Sequence, residues 1–140
     1  MTRRVKFCSQ IVPGCLLIAC SSGYLALTPS AIAGFKVLET ITAEQAQEHT
    51  GEIITVCGFV ASVDYMASWA SKPTFLNFDR PYPNQSFLVR IPDSSRAAFS
   101  EPPEVLFNGK TICVTGMIES QRNGRPQMVV EDPSQIVVQN

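Results

Sequence analysis

Gly51-Glu-Ile-Ile-Thr-Val-Cys-Gly-Phe-Val-Ala-Ser62 and Gly109-Lys-Thr-Ile-Cys-Val-Thr-Gly-Met-Ile-Glu-Ser120 align without a gap and share the pattern G-x-x-I-x-V-x-G-x-[VI]-x-S. In the first copy Ile54, Val56, Gly58 and Val60 fall on one face of an extended chain, with Thr55, Cys57 and Phe59 on the other. That period of two marks a half-buried β-strand. The second copy predicts another long strand over Lys110–Ser120. Each has a glycine in its interior, Gly58 and Gly116, where glycine weakens a strand unless a bend or bulge is wanted. Bends of that kind close small barrels. A tandem repeat and two strands with similar tasks both account for the echo.

Two shorter β-rich runs, Thr74–Phe78 and Phe87–Ile91, lie between the copies, separated by the proline-marked loop Asp79–Asn84. Ser94 or Ser95 can cap a helical turn through Phe99, with Pro102-Pro103 as its stop. After the second copy, Asn123-Gly124 is a hairpin signal leading to a returning strand over Gln127–Val130. Pro133 then bends the chain before a last apolar piece, Ile136–Val138. Ahead of the first copy, Thr42-Ala-Glu-Gln45 fits a capping box, with Ile41 before the cap. It predicts a short helix from Thr42 to about His49, stopped by Gly51, with Glu44 suited to the helix dipole. Five strands, a helix between the third and fourth, and two long strands interrupted by glycine describe an all-β, five-stranded Greek-key barrel of the OB-fold type.

Val56-Cys-Gly58, Pro73-Thr-Phe-Leu-Asn-Phe78, Tyr82-Pro-Asn-Gln85, Gly109-Lys-Thr-Ile-Cys-Val-Thr-Gly116 and Pro126-Gln-Met-Val-Val130 resemble a group of small exported bacterial OB-fold domains. Those domains are described as nucleic-acid-binding-like or uncharacterised. The resemblance covers roughly residues 38–138 and implies a fold and a binding module, not a chemistry.

The chain is 140 residues long, and its N-terminus reads as an address. Arg3, Arg4 and Lys6 form a positive start, an apolar stretch runs from Ile11 to Leu27, and Ala31-Ile-Ala33 is an A-x-A cleavage site. The expected domains are therefore a signal peptide over 1–33 and one OB-fold domain over 34–140. Leu17-Ile-Ala-Cys20 is a competing lipobox, which would make Cys20 the lipidated first residue of a membrane-anchored lipoprotein. Apart from that lipid, no membrane contact is expected. An uncleaved anchor is the third reading. All three export the domain to the periplasm or beyond.

Removing 1–33 takes three of the eleven basic residues and no acidic one, leaving a mature chain of net charge −4. It also takes three of the five cysteines, leaving Cys57 and Cys113. Two cysteines and one histidine (His49) make no four-ligand zinc site, so no metal and no cofactor is expected. The two cysteines sit on strands that neighbour each other in such a barrel, which allows a cross-strand disulfide; two separate packed thiols are the other reading. His49 at a helix end has no nucleophile motif near it, and Asp64, Asp79 and Asp93 are scattered, so binding rather than catalysis is expected.

The usual binding surface of this fold is the strand 2–3 face with the loops after strands 1 and 4. Here these are Phe75–Ile91, the stretch around Tyr65–Lys72, and Gln121–Arg125. If Leu76, Phe78, Phe87 and Val89 face the core, Phe75, Asn77 and Arg90 face outward. The candidate contacts are Phe75, Asn77, Arg80, Tyr82, Arg90, Arg122 and Arg125. Aromatic rings beside cations suit single-stranded nucleic acid, since bases stack on such rings over a positive groove. Residues 70–125 sum to +2, while 34–69 sum to −4 and 126–140 to −2, so affinity for phosphate is expected to be weak. The alternative is a periplasmic protein-interaction or small-ligand module using the same face without phosphate contacts. Intact mass of the exported protein decides the leader: a chain beginning at Gly34 is expected, and a diacylated Cys20 overturns it.

Overall fold

The computed structural model describes residues 38–140, so the leader and Cys20 lie outside the described residues. Seven strands are present: β1 (Thr40–Thr42), β2 (Ile53–Tyr65), β3 (Thr74–Phe78), β4 (Leu88–Ile91), β5 (Thr111–Ser120), β6 (Pro126–Val129) and β7 (Ile136–Val138). Five of them close into a barrel in the order β2-β3-β4-β6-β5, with β5 pairing back onto β2. The β4–β6 contact is parallel and the other four are antiparallel. This closed barrel with few short helices matches the expected OB-fold class. β1 and β7 were not expected as strands. They extend the sheet outside the barrel, β1 parallel to β2 and β7 antiparallel to β5.

The core is aliphatic with a few rings: Ile54, Val56, Val60, Leu76, Phe78, Phe87, Val89, Ile91, Ile112, Val114, Ile118 and Met128 are all sealed from solvent. Leu76, Phe78, Phe87 and Val89 therefore do face inward, and Phe78 meets Phe87 edge to face at 5.5 Å between ring centres.

The two echoed stretches turn out to be partners, pairing antiparallel through seven positions from Ile53↔Met117 to Phe59↔Thr111. Their midpoint is Val56↔Val114, two residues that occupy the same place in the echo. A local two-fold axis follows, and the bonds at the two ends of the pairing obey it. Gly51 N–H donates to the Ile118 carbonyl at 2.7 Å, and its counterpart Gly109 donates to Val60 at 3.0 Å. Ile118 N–H donates to Glu52, and Val60 N–H to Lys110. Gly51 and Gly109 each follow a helix and have φ of +92° and +72°, the left-handed conformation that ends helices and favours glycine.

Gly58 and Gly116 correct an expectation. Neither has a positive φ, and the register break in β2 lies between Val60 and Ser62, two residues past Gly58. They are glycine because core side chains occupy the space. A Cβ on Gly58 would stand 2.8 Å from the Phe78 ring, and one on Gly116 would stand 2.9 Å from Met128 Sδ.

The helices also differ from expectation. The first is a 3₁₀ helix over Ala43–His49, with Gln45 Oε1 accepting from the Thr42 N–H at 3.0 Å as the box predicts. The second is one turn, α1 (Asp93–Arg96). Pro103 starts a further helix, α2 (Pro103–Phe107), instead of stopping the earlier one. Proline's fixed φ suits a first helical turn, where its missing N–H has no partner to lose. Phe99 and Phe107 then meet edge to face at 5.8 Å.

Cys57 and Cys113 form a disulfide. Because Glu52 and Val60 carry the ladder bonds, the odd positions between them are the closely spaced, unbonded pairs where side chains approach best. The bridge links residues 56 apart, and chain entropy alone makes a loop of that length worth about 4 kcal/mol. Cys57→Ala with Cys113→Ala is expected to lower unfolding free energy by about 2–4 kcal/mol in urea titrations. A change below the error of extrapolation sinks the account.

Candidate functional site

On the outer face of the barrel, strand register sets out two cross-strand rows. One runs Asp64–Phe75–Arg90 over β2, β3 and β4; the other runs Ser62–Asn77–Leu88–Gln127 and continues into β6. These rows floor a cleft of about 390 Å³. That lies within the roughly 300–1,000 Å³ usual for small-molecule sites. Three loops wall it. The β2–β3 loop supplies Met66 and Trp69, the β3–β4 loop Tyr82 and Gln85, and the β5–β6 hairpin Gln121, Asn123 and Arg125.

The floor is part apolar and part committed polar. Leu88 is buried, and Phe75 is half-buried with Trp69 edge-on to it at 5.9 Å between ring centres. Asn77 is 1% exposed, and its Nδ2 donates to Asp64 Oδ2 at 2.6 Å and to Ser62 Oγ at 3.0 Å. Its amide is spent holding Asp64 in place. Arg125 is likewise engaged, donating from its guanidinium to the Pro83 carbonyl and so tying the hairpin to the β3–β4 loop. The Arg90 guanidinium has no ion pair or side-chain hydrogen bond among the described residues. Two cleft carboxamides are unsatisfied: Gln85 Oε1, on a side chain nine-tenths buried, and Gln121 Nε2.

Of the seven expected contacts, Phe75, Asn77, Tyr82, Arg90 and Arg125 come together in the cleft. Arg80 and Arg122 are exposed on the adjoining loops and outside its lining. The expected list omitted Trp69, Leu88 and the glutamines. Trp69 was findable, as the chain's single tryptophan within the loop already named. Gln85 and Gln121 lie in stretches already named, but nothing in the sequence shows that their carboxamides lack partners. Among the described residues no three His, Cys, Asp or Glu side chains gather as metal ligands.

The β2–β3 loop is anchored at its base by Arg96. Its guanidinium sits 3.9 Å from the centre of the Tyr65 ring, donates to Thr74 Oγ1 and pairs with Glu104 at 2.9 Å. Tyr65 and Thr74 are the strand ends from which the loop springs. Burial raises the Glu104 pKa, but the hydrogen bond and charge of Arg96, with a backbone bond, outweigh it and hold the carboxyl below its ordinary 4.5.

No family model and no curated protein matches this chain. Among solved structures it is similar to OBody AM1L10 bound to hen egg-white lysozyme, at 14% identity over 73% of this chain and 94% of that one, with a TM-score of 0.46. A second is a protein described as an aspartyl-tRNA synthetase from Leishmania major Friedlin, at 10% identity and a TM-score of 0.47. This chain covers 76% of its own length there but spans only 22% of that protein. The barrel fits an OB-fold-like domain and is compatible with a binding module. The disulfide is compatible with an extracellular or periplasmic location. Among the described residues no helix is long and apolar enough to cross a membrane.

A depressed carboxyl pKa stabilises the fold above the unfolded value, and that gain is lost as pH falls through the folded one. Glu104→Gln should therefore cost about 0.2–1 kcal/mol at neutral pH, as for other half-exposed pairs. The deficit should vanish well below pH 4.5. Melting curves across pH 7 to 2.5 check it, and a deficit independent of pH refutes the charged pair.

Proposed function

We propose that this chain is an exported binding module, not an enzyme, and that its β3–β4 cleft takes one small ligand or one short segment of a partner rather than a nucleic-acid strand. The leader and the disulfide support export. The observation that carries the binding reading is the cation count in the cleft. A strand-binding groove needs a run of cations along the phosphates. Here Arg125 is tied to Pro83, Arg80 and Arg122 fall outside the lining, and Asp64 places a negative charge on the floor. That leaves Arg90 and the remaining N–H groups of Arg125 for an anion, two cations rather than a run.

What the cleft does offer is aromatic and aliphatic surface with a few hydrogen-bonding groups, the make-up of a small-ligand pocket. Trp69, as the chain's single tryptophan, reports on occupancy directly. Titration with a decathymidylate at low salt is expected to leave its fluorescence unchanged at tens of micromolar. A saturable change that Arg90→Ala abolishes restores the nucleic-acid reading. Thermal-shift screening of a library of small charged and neutral compounds should yield ligands whose stabilising effect is lost in Phe75→Ala. Hits that survive Phe75→Ala place binding elsewhere.

A further inference from the structure

Resting on the reading of this cleft as the binding site, we propose that it captures the C-terminal end of an extended peptide, with the terminal carboxylate on Arg90. The floor row runs from Arg90 across Phe75 to Asp64. Two strand spacings of about 4.8 Å each make that row about 10 Å long, the reach of about three extended residues at roughly 3.3 Å apiece. Its ends differ in sign. Arg90 brings a positive fork without a partner among the described residues, and a guanidinium fork matches one carboxylate through two parallel hydrogen bonds.

The opposite end carries Asp64, already bonded to Asn77 and Ser62. A second anionic group there would be repelled, whereas the neutral body of a peptide is tolerated. This end-to-end difference separates a peptide terminus from a polyphosphate chain, whose charges repeat along its length. Between the ends, Phe75, Leu88 and the Trp69 ring form an apolar seat for the last side chain.

The unsatisfied carboxamides complete the match. Each carboxamide atom without an internal partner can bond a ligand without breaking a bond within the protein. The terminal torsion of a glutamine is soft, which lets each carboxamide turn toward the cleft. The Gln85 carbonyl accepts from a peptide N–H, and the Gln121 NH₂ donates to a peptide carbonyl. A peptide group brings both partners at once.

Acetyl-Ala-Ala-Leu and acetyl-Ala-Ala-Phe, each as free acid and as C-terminal amide, test this through Trp69 fluorescence on the full mature chain. The acids should bind roughly tenfold or more tighter than the amides, as loss of a charge-assisted bond demands. Arg90→Gln should level the two forms at an unchanged melting temperature, and Arg90→Lys should restore part of the difference. Equal binding of acid and amide in the wild type overturns capture of the terminus while leaving the cleft a binding site. If neither form binds but library compounds do, the peptide class is wrong. If no compound of any kind acts through Phe75, the cleft reading falls as well.

Discussion

The antiparallel pairing of β2 with β5 is the contact on which the rest of the molecule depends. It closes the barrel, and each of its two strands carries an interior glycine that leaves room for a core side chain of the next strand along, β3 or β6. Any side chain at Gly58 would displace Phe78, which packs on Phe87 and seals the core at the β3–β4 end. At Gly116 the displaced residue would be Met128, on the strand that links β4 to β5. The pairing, the closure and the packing are thus one constraint. The disulfide holds the pairing at Cys57↔Cys113, one step from its midpoint, where cross-linking preserves both halves equally.

That seam leaves the opposite wall of the barrel free to carry a site. β3 and β4 are short, five and four residues, and their outer face is roofed by loops instead of another sheet. The loops are tied down by arginines, one of which, Arg125, is also a candidate contact. Arg96 holds the ends of the β2–β3 loop through Tyr65 and Thr74, and Arg125 joins the hairpin to Pro83. Cations that look in the sequence like a binding patch are therefore partly structural. The positive charge within the cleft is small because, among the described residues, only Arg90 and Arg125 line it as cations, with Asp64 opposing them.

The barrel was legible in the sequence because its signals are local. Period-two alternation marks β2 and β5, Asn123-Gly124 marks the hairpin, and the capping box marks the first helix. β1 and β7 were not legible, since three-residue strands gain their identity only from the neighbour they pair with. Pro102-Pro103 was misread because proline stops one helix and starts another equally well, and only the packing of Phe107 on Phe99 decides between them. At the site, alternation placed Phe75 and Arg90 outward correctly. It could not show that Asn77 is sealed beneath the cleft or that Arg125 is occupied, because both facts depend on residues distant in sequence.

If the cleft binds as proposed, charge would make so modest a site selective. Residues 34–140 sum to net −4, a field that repels polyanions at a distance and more strongly at low salt. A ligand with a single negative end meets that repulsion once, and Arg90 offsets it locally. A ligand with charges repeated along its length meets it at every unit, and finds Asp64 on the floor where a second cation would be needed. On the proposed reading, the acidic surface and the Arg90 guanidinium would act together as a filter. The surface would reject by total charge, and the cleft would accept by the position of one charge relative to an apolar seat.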